Sequence, residues 1–406
     1  MTGTIASTPS LLRLAGFPYF LIAFIARLPF AMMVVGVLTL VVAARESISL
    51  GGLTSAAVGL GTACFGPLLG AASDRFGQRP VLLAVGIANG ILLAAFAWVA
   101  YSSLSDLALL GTAYLIGATA PQVAPLSRSR LVAVIRDRVS PDRRRRVLNA
   151  TMAYESAADE TVFIIGPFIV GVLASILAPW APLVGAALFT LVFVTAFALH
   201  PSGRAGQHGS GRADAVGPAA ELFRPALVVV VIGILGVGLF FGAMLTSLTS
   251  FMADRGAPEE AGLLYGVMGI GSASFALGVA LFPERFTRTA RWLVFTTVIF
   301  AGAAALLFVT SVGGMVAALA VMGVGIGPTL VTQYSIGADR SPVGRSATVM
   351  TILGSGVIVG QSIGAAVTGE VAQRFGTEAA LWLPVAAAGL VLLAGLGNAV
   401  LSRRPR

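Results

Sequence analysis

The sequence predicts an all-α integral membrane protein of twelve transmembrane helices in two six-helix bundles, and three observations predict it. Of 406 residues, 57% are hydrophobic and 11% charged, where an ordinary soluble domain carries about 25% charged residues. The apolar runs reach the ~20 residues that a helix needs to cross a bilayer. Period-2 alternation is absent from these runs, which disfavours a membrane β-barrel, the other architecture that satisfies its backbone in lipid.

Twelve runs emerge in chain order, at residues 17–43, 50–72, 80–101, 106–134, 147–177 and 181–200, then 225–252, 261–282, 290–311, 313–338, 346–371 and 378–400. The net charge of +9 comes from 26 basic residues, all arginines. Placing the N-terminus inside puts Arg75, Arg79, Arg136, Arg138 and Arg143 to Arg146 in inner loops of the first half. The central segment adds Arg204, Arg212 and Arg224, and the second half adds Arg285, Arg288, Arg291, Arg340, Arg345, Arg403, Arg404 and Arg406. Outer loops hold Arg45, Arg255 and Arg374. Cytoplasmic loops collect arginine, so the asymmetry predicts both termini in the cytoplasm of a cell (inner) membrane protein. It also explains the basic balance without a nucleic-acid partner. The start, MTGTIASTPSLLRLAG, reads as a cytoplasmic tail rather than a signal peptide. The single cysteine, Cys64, lies in an apolar run and leaves no intrachain disulfide to form.

The stretch Pro201 to Arg224, PSGRAGQHGSGRADAVGPAAELFR, reads as a flexible linker between bundles at 1–200 and 225–406. The halves resemble each other. At an offset of 210 residues, Gly59, Gly61, Ala63, Phe65, Arg75 and Phe76 fall on Gly269, Gly271, Ala273, Phe275, Arg285 and Phe286, and Asp74 falls on Glu284. At an offset of 201, Pro141 and Arg144 fall on Pro342 and Arg345. Duplication of a six-helix unit accounts for both.

Between helices two and three the chain reads GAASDRFGQRPVL, with Gly70, Asp74, Arg75, Gly77 and Arg79 at fixed spacing. This resembles the signature loop of the major facilitator superfamily, departing from it at Ala72 and at Gln78, where the family often has leucine and a second basic residue. With twelve spans, a central loop and the degenerate copy PERFTRTAR from Pro283, the resemblance covers nearly the whole chain. Physically, Gly70 allows close helix approach, Asp74 offers a carboxylate to a helix N-terminus or an arginine, and Gly77 permits a tight turn. Such contacts would gate the cytoplasmic side; a loop that merely obeys the charge rule is the alternative. Helix five carries IIGPFIVGVLA, with Gly166, Pro167 and Gly171. It resembles the fifth-helix motif of proton-coupled drug antiporters of that superfamily, departing from it at Val170. A proline kink between small residues is a flexing point.

Ionisable residues at bilayer depth are costly and mark function or mutual compensation. Helix one has Arg27, about 15 Å from its start. Helix four has Arg128 and Arg130, after a proline-interrupted segment that includes Gln122, and helix five has Glu155, Asp159 and Glu160. Matched in depth from the loop joining helices four and five, Arg128 and Glu155 are expected to pair. Asp159 and Glu160 are expected nearer the midplane, with Arg27. At the 201-residue offset the three acids fall on Gly356, Gly360 and Gln361, so the cluster belongs to one half only and suits proton coupling better than a requirement of the duplicated fold. Mutual neutralisation by Arg27, Arg128 and Arg130 is the alternative.

By the resemblance, helices one, four, seven and ten line a central cavity, which makes Thr246, Gln333 and Tyr334 candidates for substrate contacts beside Gln122 and the arginines. His200 and His208 lie outside the expected membrane depth. No His or Cys cluster offers a metal site or an enzyme's catalytic constellation. With no lysine the chain has no phosphate loop. The expectation is therefore a transporter and not an enzyme, without cofactor. Its partners would be a small-molecule substrate, protons and the bilayer, and by the resemblance it acts as a monomer. Proton-coupled efflux of a small organic molecule or drug by alternating access is the first reading. A sugar or metabolite proton symporter or exporter, and a non-transporting sensor, are the alternatives.

Overall fold

The computed structural model describes residues 15–204, 217–256, 261–283 and 285–403, with side chains for all of these except 48, 49, 160, 164, 167, 262, 263 and 403. Among the described residues there is no strand, and twelve helices are long and apolar enough to cross a membrane. In chain order they are α1 (Phe17–Arg45), α2 (Leu50–Phe76), α3 (Gln78–Tyr101), α4 (Asp106–Arg138), α5 (Pro141–Ile176), α6 (Ala181–Leu199), α7 (Pro225–Ala253), α8 (Leu264–Leu281), α9 (Arg288–Phe308), α10 (Val312–Arg340), α11 (Ser346–Ala380) and α12 (Trp382–Ser402). Each apolar run of the sequence corresponds to one of them.

The boundaries differ where a helix continues past its apolar run. α5 starts at Pro141 rather than at residue 147, with proline in its first turn and Asp142 complementing the helix dipole, so Arg143 to Arg146 are helical. α11 continues past Arg374 and bends at Gly376, whose φ of 82° only glycine adopts freely. Pro201–Arg204 and Ala219–Phe223 form short 3-10 turns at the two ends of the expected linker. Its middle, with Arg212 and His208, lies outside the described residues, as do Glu284, Arg404, Arg406 and the first 14 residues.

Hydroxyls fix several helix starts by accepting from the backbone: Ser47 from Leu50 N at 3.2 Å, Thr287 from Ala290 N at 3.2 Å, and Ser311 from Gly314 N at 3.1 Å. Ser311→Ala is expected to lower stability by about 1 kcal/mol, read as a lower midpoint of thermal unfolding in detergent.

Lipid tails are as apolar as leucine, so small residues that let backbones approach decide the helix packing. In the first half a Cβ on Gly117 would overlap the carbonyl of Val58, and one on Gly61 the carbonyl of Tyr114, so α2 and α4 cross backbone to backbone. The crossing recurs 210 residues on. Gly271 of α8 faces Gly323 of α10, and a Cβ on Gly327 would overlap the carbonyl of Ser272. A repeated unit packs by a repeated contact, which gives the internal similarity its physical content. In the second half α7 and α11 cross in the same manner at Gly242 and Gly360.

Between the halves, α2 lies along α11 and α5 packs against α8 and α10. The α2–α11 seam runs from Gly59 beside Ser362, past Gly66 beside Ser355, to Gly70 against Thr351. Ile135, Val139, Val147, Leu148 and Met152, from the arginine-rich ends of α4 and α5, join the same buried apolar cluster as α7, α10 and α11. The arginine-rich end of the molecule is thus closed by apolar packing across both halves.

Candidate functional site

Two helices of the first half are interrupted at membrane depth. α1 is helical over Phe17–Ile25 and again over Leu28–Arg45, with Arg27 at the join and Pro29 in the first turn of the second piece. α4 is helical over Asp106–Ala118 and Val123–Arg138, with Pro121 and Gln122 in the gap. Proline supplies no N–H and disrupts the preceding turn, so both breaks follow from the sequence. α5 runs unbroken through this depth. Arg27 therefore sits at an interruption and Arg128 more than a turn past one, while the acids sit on an unbroken helix.

Glu155 and Asp159 are one turn apart on α5 and share a face. Arg27 spans them. Its Nη2 donates to Glu155 Oε2 in a short ion pair, and its Nε lies 3.4 Å from Asp159 Oδ1. Arg128 Nη2 donates to Asp159 Oδ2 at 2.5 Å. Ser127 Oγ donates to Glu155 Oε1 at 2.9 Å and lies 2.7 Å from the Tyr19 hydroxyl. Glu155 is wholly buried and Arg27 and Arg128 are 3% exposed, whereas Asp159 is 20% exposed. Isolated charges at such depth are prohibitive, and the pairing makes this cluster tenable. Arg27 Nε and Nη1 and Arg128 Nε remain without a hydrogen-bond acceptor.

The expected Arg128–Glu155 pair does not form; Arg128 takes Asp159 and Arg27 takes Glu155. Side chains lean toward the N-terminus of their own helix, and α4 and α5 are antiparallel. Arg128 leans away from the arginine-rich end and so reaches the acid one turn farther along α5, while Glu155 leans back toward that end. Arg27, on a helix running parallel to α5, leans toward Glu155.

Arg130 lies apart from this cluster. It donates to Gln78 Oε1 at 3.1 Å, to the Phe197 carbonyl at 3.0 Å and to Ser202 Oγ at 3.3 Å, and its guanidinium stacks 4.0 Å from the Phe197 ring centre. Residues two apart on a helix face opposite ways, so Arg128 and Arg130 cannot serve one cavity. Gln78 also donates to Ser129 Oγ at 2.8 Å. The departure from the signature loop is thus the clamp between α3, α4 and the end of α6.

Across the interface, the Arg128 guanidinium lies 3.9 Å from the ring centre of Tyr334 on α10, joining the charged cluster to the other half. Cation–π contacts are worth ~0.5 to 2 kcal/mol. Tyr334→Leu is accordingly expected to lower the thermal midpoint relative to Tyr334→Phe, which keeps the ring. Gln333, one residue away, points into the second half, close to Trp292 and Gly233, and neither of its amide atoms has a hydrogen-bond partner. Gln122 donates to the Ala120 carbonyl at 3.0 Å and lies beside Gly66 of α2 and Ser355 of α11. Thr246 is half-buried on α7 near Gly369 of α11. The side chains of Glu160 and Pro167 lie outside the described residues. Gly166 packs on Ala31 of α1, where a Cβ would come to 2.5 Å from the alanine methyl, and nothing lies within 4 Å of a Cβ built on Gly171. Only the first glycine of that motif is a close crossing.

At the arginine-rich end, Asp74 accepts from Ala347 N at 3.0 Å, Thr348 N at 2.7 Å and Thr348 Oγ1 at 2.6 Å. These donors are the first turn of α11, where unpaired N–H groups and the helix dipole favour an anion. A Cβ on Gly70 would come to 2.9 Å from the Ala347 carbonyl oxygen, so glycine is what lets α2 approach this turn. Gly77 has φ 88° and turns the chain from α2 into α3. Arg75 and Arg79 are exposed, Arg75 above the ring of Phe76.

Tyr19 and Ser127, which complete the surroundings of Glu155, were not among the expected site residues. A tyrosine within an apolar run is the signal that could have found them, because its hydroxyl needs a partner.

The comparisons agree with this architecture. Structures of the same fold include the human organic anion transporter MFSD10 (20% identity, 96% of this chain and 99% of that one, TM-score 0.72). A bacterial homologue of the iron transporter ferroportin in the outward-facing state matches at 15% identity, over 95% of this chain and 98% of that one, with TM-score 0.73. The E. coli fucose:proton symporter FucP matches at 14% identity, over 93% and 98%, with TM-score 0.64. No curated protein sequence matches significantly. The family model for the Major Facilitator Superfamily matches residues 19–356 and, overlapping them, 257–406. Twelve membrane helices in two repeated halves, the Asp74 loop against α11 and this match over the chain make it a member of the major facilitator superfamily of transporters.

Proposed function

We propose that the chain is a proton-coupled exporter of a small organic molecule, working as a monomer in the inner membrane with its arginine-rich end and both termini in the cytoplasm. The two halves, 1–200 and 225–406, rock about a midplane site, and the linker 201–224 accommodates the motion. The carrying observation is the charge cluster in which Asp159 bridges Arg27 and Arg128 while remaining 20% exposed. An acid held between two cations and still reachable by solvent can exchange a proton, and its charge then alters both pairs. Protonated Asp159 releases Arg128, and Arg128 rests on Tyr334 of the other half. Proton binding is thereby linked to the contact between halves. Glu155, sealed by Arg27, Ser127 and Tyr19, sets the position of Arg27. Glu160 is the second candidate carrier.

The test is proton movement in sealed proteoliposomes containing a pH-sensitive dye, against a panel of dyes, drugs, sugars and amino acids. Wild type is expected to move protons opposite to one compound, and Asp159→Asn to abolish the proton signal. Transport by wild type without any proton signal, matched by Asp159→Asn and Glu160→Gln, would overturn the proposal. A proton moving in the same direction as a sugar would identify a symporter.

A further inference from the structure

The repeat gives the second half a counterpart to the seam of Asp74 and α11, where the α8–α9 connection meets the first turns of α5. Among the described residues there, arginines gather where the first seam has a carboxylate. A cavity of about 260 Å³ lies between the halves, lined among others by Arg145, Arg146 and Asn149 of α5, by Phe282 and Pro283 after α8, and by Arg291 of α9. None of the described residues that line it is acidic. Arg291 is 2% exposed, its Nε has no hydrogen-bond partner, and among the described residues its Nη2 donates to the Pro283 carbonyl at 3.4 Å. Asn149 is held in place by Arg288, whose Nε donates to its Oδ1 at 3.2 Å. Three guanidinium groups converging on one small cavity repel one another, and a buried N–H without an acceptor costs free energy.

We infer that this cavity binds a phosphate-type anion, presented by a membrane lipid headgroup or free in solution. Guanidinium groups match phosphate oxygens in fork geometry, and a buried arginine with an open donor is the group that such an anion satisfies. The edge of the cavity is compatible with a lipid source, because Leu281, which lines it, is 86% exposed beside the charged lining. The bound anion touches α5 from one half and the α8–α9 connection from the other. It therefore takes the part that the Asp74 carboxylate takes in the opposite seam, and its binding favours the arrangement closed at the arginine-rich end.

The experiment is native mass spectrometry of the purified full chain incubated with phosphatidylglycerol or phosphatidylcholine, paired with thermal unfolding in inorganic phosphate. Wild type is expected to retain phosphatidylglycerol over phosphatidylcholine, or to be stabilised by inorganic phosphate. The first outcome assigns the anion to lipid and the second to a free ion. Arg291→Gln, and the exposed Arg146→Gln, which leaves the core untouched, are each expected to weaken that binding about tenfold, or about 1.4 kcal/mol. Wild type indifferent to both probes, or both variants binding as wild type does, would overturn the inference. Glu284, one residue beyond Pro283, supplies the remaining control. If wild type binds neither probe and Glu284→Gln binds one, the cavity's anion is the chain's own carboxylate and the inference fails.

Discussion

Replacing Glu155 by glutamine is expected to destabilise the protein by about 3 kcal/mol, because the change strips the closer counter-charge from a guanidinium that is 3% exposed. Arg27 would keep only Asp159 at 3.4 Å, an acid already engaged by Arg128. The double variant Arg27→Met, Glu155→Gln is expected to recover most of the loss, since it removes both charges from the same apolar surroundings. With wild type and Arg27→Met alone, these two variants form a double-mutant cycle, read by thermal unfolding in detergent, and residues in direct contact should show a coupling well above the scatter of independent sites. Asp159→Asn removes the acid paired with Arg128, which is also 3% exposed and would keep Tyr334 alone, so it too is expected to lower the midpoint; what sets it apart is the complete loss of proton coupling. A wild-type midpoint for Glu155→Gln would mean that Glu155 does not hold Arg27. The assignment of a structural role to one acid and a coupling role to the other would then reverse.

The same cluster shows how far the sequence carries. Twelve apolar runs separated by arginine-bearing loops are a one-dimensional signal, and the structure has one helix for each. The anion-to-helix contact of Asp74 was legible because its residues are contiguous and the chemistry of a helix start is general. The pairing inside the membrane was not. Depth counting places Cα atoms, but an arginine reaches past a full turn, and the lean of each side chain depends on helix direction. That is why Arg128 meets Asp159 instead of Glu155. Gln78 stood out as a departure from the signature loop, yet its partner Arg130 is 52 residues away, a distance that no local pattern spans. An amide such as Gln333 needs a partner in an apolar surrounding, and no described protein atom supplies one.

Asp74→Asn is expected to shift the protein toward the arrangement open at the arginine-rich end. The carboxylate accepts from three donors in the first turn of α11, and an amide can neither accept as many hydrogen bonds nor answer the helix dipole. Charged hydrogen bonds contribute ~1.5 to 3 kcal/mol, which converts to roughly 10- to 100-fold in the ratio of open to closed molecules. Ser355 of α11 is 5% exposed at this seam and is the place to measure it. In a Cys64→Ser background, Ser355→Cys should react slowly with a membrane-impermeant maleimide added from the arginine-rich side, and adding Asp74→Asn should raise the rate by about 10- to 100-fold. Gly70→Val should move it in the same direction by a different cause, since its Cβ would press on the Ala347 carbonyl and hold α2 off α11. If Gly70→Val opens the seam and Asp74→Asn does not, then close packing of backbones keeps this end shut, and the carboxylate serves the start of α11 alone.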